Sequence, residues 1–332
     1  MPFVTLSFCV YLYSLLNNLR NSGLGCNICG LYLGALGYAD NIILMSPSRE
    51  SLQLMLKICQ DFADKHSVLF STNPNPNLSK TKCMLFSRKN QVKVPKLKLN
   101  NEDLPWVESA KHLGNKLTVK LSTNPIGMDT SQDLLQKRAI FYQRVHELKQ
   151  AYGFYEPSTI CNLIQIFGTS FYGSPLWNLK SEEHLKLNRS WNTTVKLVFE
   201  LPFQTHKRFV ESLSDVPHIE SKLHGRYIGF IENLKKSRKP EMSLLFNLSV
   251  DNQQSNTGQN LEYLKNLYNV NSLQDLIQEK HSIKKNRVNP LEQGEEWKPI
   301  LINEICLAKK GFLDIGLEEE ILEDLLLDIC NQ

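Results

Sequence analysis

The feature that most constrains this chain is a change of period near residue 125. Before it, apolar runs are short and separated by turn residues; from Asp129 onward, apolar residues recur at helical spacing. Leu135, Ala139, Tyr142, Val145 and Leu148 are expected to share one face. Pro157 suits the first position of a helix running to about Phe171, and Ser181 caps a third helix carrying Leu185, Trp191, Val195 and Val198. Such a pattern excludes a uniform sheet or a solenoid and predicts an α+β fold, sheet with helices first and mostly helices afterwards. At 332 residues there is room for about two domains.

The earlier half can be read element by element. Residues 3–20 form a helix that Gly23-Leu24-Gly25 breaks. Two apolar runs, 26–36 and 42–46, are joined by Tyr38-Ala39-Asp40-Asn41, which has hairpin-turn chemistry and sets Asp40 at the tip. Ser48 then caps an amphipathic helix whose Leu52, Met55, Leu56, Cys59, Phe62 and Ala63 fall on one face. Val68–Ser71 and Cys83–Ser87 read as strands around a polar Asn/Pro loop. Residues 92–99 and 106–117 read as a further pair around Asn100-Asn101-Glu102. Residues 206–248 look helical, and 251–258, DNQQSNTG, reads as a linker. Residues 318–327 read as an acidic amphipathic helix.

The net charge of +4 identifies no partner, but its distribution is uneven. Residues 57–149 carry sixteen Lys/Arg against eight Asp/Glu, whereas 312–332 carry seven acids and no base. The first region can grip a polyanion that the second would repel. The short cluster Lys235-Lys236-Ser237-Arg238-Lys239 is either a solvated face or a nucleic-acid contact. The eight cysteines are spread through a chain that needs no stapling, which points to reduced thiols in an intracellular protein. Cys26 and Cys29 have half the spacing of a zinc ribbon, without the second pair that would complete it. The apolar start, residues 3–16, lacks a basic n-region and a cleavage site and is too short to span a bilayer, so no membrane role is expected.

Taken alone, Asp40 is a turn residue. The blocks around it give it a further meaning: Tyr38-Ala39-Asp40-Asn41, the capped helix, Asn77-Leu78-Ser79-Lys80-Thr81-Lys82-Cys83-Met84-Leu85-Phe86, then Lys111-His112-Leu113-Gly114. In this order and spacing they resemble the palm of non-LTR (LINE-type) retrotransposon reverse transcriptases, where the blocks read YADD, NxxKTxxMxF and YLG or HLG. Phe171–Trp177, Ser190-Trp191-Asn192, Leu201–Arg208, Arg226 and Phe230 are similar to the helical region that follows. The resemblance covers residues 5 to about 260.

It implies an incomplete polymerase palm over 1–125, an antiparallel sheet with helices. A helical thumb and connection region over 126–250 follows, then a linker and acidic tail over 251–332. Asp40 matches the aspartate that ligates catalytic Mg²⁺ in two-metal nucleotidyl transfer. Lys80 matches a candidate proton donor to the leaving pyrophosphate, and is otherwise a solvated loop lysine. His112, Leu113 and Gly114 match the primer grip. The implied partners are an RNA/DNA template–primer duplex and dNTPs, with Lys and Arg of the thumb on phosphates.

Two departures stand out. Asn41 replaces the second Asp, keeping an acceptor oxygen but losing the charge. The family's other metal aspartate lies upstream of a Gly-rich block of which Leu6-Ser7 is a remnant, and Tyr13 stands where relatives carry an acid. RNA-directed DNA polymerisation by this chain alone is therefore not expected; the other reading is a catalytically dead retroelement remnant that holds nucleic acid or a protein partner.

Overall fold

The computed structural model describes residues 2–87, 94–119, 129–153, 155–205, 207, 210 and 216–285, with side chains from residue 10 onward. It contains helices and small antiparallel sheets, so the α+β class holds at that level. The chain divides into two compact units. One comprises residues 1–112, 116–129 and 239–241; the other comprises 113–115, 130–238 and the residues from 242.

In the first unit, α1 (Pro2–Asn21) is followed by four short hairpins and one long helix. The run 26–36, expected as one strand, is split. β1 (Asn27–Ile28) and β2 (Leu31–Tyr32) turn at Cys29-Gly30, both at positive φ, and β3 (Ala35–Tyr38) then pairs with β4 (Asn41–Leu44). Helix α2 (Arg49–His66) starts at Ser48, whose hydroxyl accepts the Ser51 N–H, and it buries Met55, Leu56, Cys59, Phe62 and Ala63. The apolar spacing and the cap both held. Leu12, Leu15 and Leu19 of α1 meet Met55, Cys59 and Phe62 in one core cluster, lined also by Ala35, Ile42 and Leu44 of the hairpin. A second cluster gathers Leu56, Cys83, Leu97, Leu99 and Leu104.

Two strand expectations need correction. Residues 68–71 and 84–87 form no strand, and Cys83 makes only an isolated parallel bridge with Trp106. The pair expected over 92–99 and 106–117 is instead two hairpins. β5 (Lys98–Leu99) and β6 (Glu102–Asp103) turn at Asn100-Asn101; β7 (Ser109–His112) and β8 (Asn115–Thr118) turn at Leu113-Gly114. All four turn residues have positive φ, which two-residue hairpins favour because it matches strand twist. Strand β5 finds backbone partners on α2. The Gln53 amide donates to Lys98 O and accepts Lys98 N–H, both at 2.9 Å, and Arg49 donates to Pro95 O and Lys96 O. A helix side chain thereby completes what a third strand would supply.

The second unit is helical. It holds α3 (Ser131–Tyr152), α4 (Pro157–Leu163), α5 (Glu182–Val198), α6 (Ile219–Lys235), α7 (Pro240–Asp251), α8 (Asn256–Leu267), α9 (Leu273–Gln278) and α10 (Lys280–Lys285). The face of α3 differs from the expected one: Leu134, Phe141 and Val145 are buried, while Leu135 is 45% exposed. Helix α4 ends at Leu163 rather than Phe171 and widens into a π turn over 164–168, which Lys222 and Arg226 of α6 hold. Lys222 Nζ donates to Gln165 O (2.6 Å) and Thr169 Oγ1 (2.9 Å), and Arg226 donates to Ser170 O (3.0 Å). Two cations at the end of a helical segment complement its unsatisfied carbonyls.

Residues 251–258 are no linker. Helix α7 runs to Asp251, Ser255 caps α8, and Gly258 and Asn260 are buried. Asn260 receives the Leu179 N–H (3.0 Å) and donates to Trp177 O (2.8 Å), which ties α8 to the FYGSPLW block. The core has two clusters along α6: Trp177, Trp191, Val195 and Leu223 belong to one, and Tyr227, Ile228, Ile231, Leu261, Leu264 and Leu276 to the other. The acidic stretch 318–327, with Cys306 and Cys330, lies outside the described residues.

Candidate functional site

Strand β3 reaches its tip through a close approach to α1: a Cβ at Gly37 would stand 3.0 Å from Leu16 Cδ1. Ala39 takes φ 49° in the turn, a conformation that costs an L-residue roughly 1–2 kcal/mol. Asp40 follows, exposed, as expected for a hairpin tip. Asn41 donates its amide to Asp40 Oδ1 at 3.3 Å, and Tyr38 is 66% exposed. Asn41 is thus a neutral donor to the acid beside it, where a second carboxylate would repel it. The exposed carboxylate fits one ligand position on a Mg²⁺ ion. It does not amount to a two-metal set, and among the described residues no three His, Cys, Asp or Glu side chains are grouped to hold a metal.

Lys80 is exposed in the Asn-rich loop. Its neighbours are fixed: Asn73 and Asn75 close successive Asx turns, Ser79 is buried and donates to Thr81 O, and Thr81 bonds Ser71 O through both N–H and hydroxyl. His112 is half-buried at the end of β7. Leu113 (φ 46°) and Gly114 (φ 80°) form the turn.

The tip residues 113–115 belong to the second unit, where two blocks singled out by sequence meet. Lys137 Nζ donates to Gly114 O at 3.1 Å, and Tyr172 stands 3.6 Å from where a Gly114 Cβ would be. Gly173 (φ 86°) is tighter still, since its Cβ would lie 1.9 Å from Asn115 Oδ1. Gly114-Asn115 and Tyr172-Gly173 therefore pack together within this unit, which sequence spacing does not reveal.

Helices α3 and α5 form a groove of about 290 Å³ lined by Arg138, Tyr142, Lys186, Arg189, Ser190 and Thr193. Lys186 pairs with Glu182 (3.2 Å) and Glu183 (2.7 Å), and Arg138 lies 3.8 Å from Glu183. Three cations outnumber two acids here, and a tyrosine ring lies beside them.

A buried polar cluster went unread. His184, His218, Glu220 and His224 are all fully buried. Glu220 Oε1 is 3.6 Å from His184 Nδ1 and 3.3 Å from His224 Nε2, and His224 Nδ1 meets the Tyr268 hydroxyl at 2.9 Å. Burial pushes the His184 and His218 imidazoles down to about 4, and the neighbouring imidazoles hold the Glu220 carboxyl below its ordinary range despite burial. The spacing His-x-Glu-x-x-x-His at 218–224 was the available signal, because residues four apart share a helix face.

The five described cysteines Cys26, Cys29, Cys59, Cys83 and Cys161 are free thiols; burial raises Cys59 and Cys161 to about 12 and Cys83 to about 11, so these three are inert. No described helix is long and apolar enough to cross a membrane. No protein-family model matches the chain, and no curated protein matches it.

Proposed function

We propose that the chain is the part of a LINE-type reverse transcriptase running from the metal-site hairpin through the thumb. It holds an RNA/DNA template–primer duplex without polymerising by itself. The observation that carries this reading is the ordered series of blocks, YADN, NLSKTKCMLF, HLG, FYGSPLW and LPFQTHKR. Its supports are that YADN and Leu113-Gly114 each occupy a tight hairpin turn and that Gly114 packs on Tyr172. On this reading residues 1–125 are palm-derived and the helices from Thr130 are thumb and connection. His112, Leu113 and Gly114 grip the primer strand.

The groove between α3 and α5 is then a seat for backbone phosphates, with Arg189 and Arg138 as the fork donors and Tyr142 against a sugar or base. Asp40 contributes one Mg²⁺ ligand, and Lys80 faces the leaving pyrophosphate. Nucleotidyl transfer assisted by two metals requires a further carboxylate.

Primer extension on an RNA template with Mg²⁺ or Mn²⁺ tests the reading. We expect no incorporation by the chain alone but retention of the labelled duplex, unchanged in Asp40→Ala. Incorporation that Asp40→Ala abolishes would overturn the non-polymerising half of the proposal. Failure to retain duplex at low salt would overturn the other half.

A further inference from the structure

Helix α6 passes through both apolar clusters of the second unit: Ile219 and Leu223 belong to the first, and Tyr227, Ile228 and Ile231 to the second. At the seam stand Glu220 and His224, with His184 reaching in from α5 and Tyr268 from the turn after α8. Rings stack across it: His184 on His224, and Tyr263 and Tyr268 edge-on to His224. The carboxylate contacts are longer than the 2.7–2.9 Å usual for charge-assisted hydrogen bonds. Both Glu220 oxygens, both His184 nitrogens, both polar atoms of Asn188 and the Ser221 hydroxyl are buried without a hydrogen-bond partner. A seam so under-satisfied gains hydration whenever it opens.

We propose that His184, Glu220, His224 and Tyr268 form an acid-sensitive latch at this seam, which lets α8–α10 part from α6 as the pH falls. The groups facing Glu220 are His184 from α5, His218 at the α6 N-cap, His224 on its own helix, and Tyr263 and Tyr268 from α8 and the turn after it. Other charges nearby are engaged: Lys222 and Arg226 with the π turn, and Lys280 of α10 with Glu232. Lys284 of α10 backs onto Gly225.

The direction follows from proton linkage. The closed seam keeps His184 neutral down to about pH 4, whereas an opened, hydrated imidazole takes its proton near its ordinary 6.5. Protons therefore bind the open form preferentially. Between pH 7.5 and 5 the opening constant rises roughly 25-fold for each imidazole so released.

Amide hydrogen exchange read by segment, with rates divided by intrinsic chemical rates, tests this on the full chain at pH 7.5 and pH 5. We expect residues 256–278 to lose protection at least roughly 25-fold and to exchange faster than α3 at both pH values, because they open without global unfolding. Exchange of both regions at one common rate, or no pH-dependent loss in 256–278, would overturn the latch. His184→Leu is expected to remove one such factor from the pH dependence, and its full retention would also contradict the proposal. If that variant does not fold, the wild-type segment pattern decides alone.

Discussion

The YADN hairpin and the His184–Glu220–His224 seam are opposites in how they hold charge. The hairpin displays one acid to solvent, hydrogen-bonded by an amide neighbour, in the turn between two strands of four residues. The seam buries four ionisable groups among long helices and offers no access from solvent. The richer chemistry is thus in the place no substrate reaches, and the recognisable motif is where chemistry is sparse. Density of titratable groups marks a structural joint here, while position on a tight, exposed turn marks the candidate site.

The largest effect that sharpens this contrast is on the buried side. Trp191→Ala removes a fully buried indole that packs against Phe141, and should cost about 3–5 kcal/mol in denaturant unfolding followed by helical circular dichroism. Next comes acid sensitivity. His184 and His218 have folded values near 4, below their ordinary 6.5. The folded state then refuses protons that the unfolded chain accepts, so stability is full above about pH 6.5 and declines towards pH 4. Each imidazole contributes up to about 3 kcal/mol to that decline, measurable as a fall in Tm. Glu220, held low, adds to the loss only as the pH drops below its ordinary 4.5 and through its folded value. A stability flat from pH 7.5 to 5 would erase the difference between the two regions.

On the exposed side the effects are smaller. Ala39→Gly relieves a positive φ and should stabilise the hairpin by about 1 kcal/mol, whereas Ser48→Ala should cost about 1 kcal/mol through loss of the α2 cap. Thermal melts check both. Arg189→Ala should leave stability within about 0.5 kcal/mol and lower the slope of log affinity for duplex against log salt by about 1.

Elements whose signals are local were legible. Ser48, Pro157 and Ser181 each start a helix where their chemistry says, and the α2 face follows its spacing. The rest depends on tertiary choices. Leu135 and Leu134 both fit a helical stripe, and only packing against Trp177 and Trp191 selects the one that is buried. DNQQSNTG has linker composition, yet Ser255 caps a helix and Asn260 is claimed by the backbone of residues 177 and 179. Residues 68–71 have strand composition but no free strand to pair with, since Asn100 and Thr81 already take the Phe70 and Ser71 carbonyls. At the site, Asp40 lies at the hairpin tip that its residues predict, whereas the Leu113-Gly114 turn falls inside what reads as one strand, 106–117. The contacts of Gly114 with Tyr172 and of His184 with Glu220 join residues distant in sequence, which no spacing rule links, whereas His218, Glu220 and His224 are near one another in the chain.

The central claim is that this chain holds a template–primer duplex through its cationic helical surface. Its most direct test is the affinity of the full chain for a labelled RNA/DNA duplex from 50 to 300 mM salt. The account predicts a linear fall of log affinity with log salt that flattens in the Arg138→Ala/Arg189→Ala double variant. Binding that is absent at low salt, or indifferent to salt and to both arginines, would contradict it.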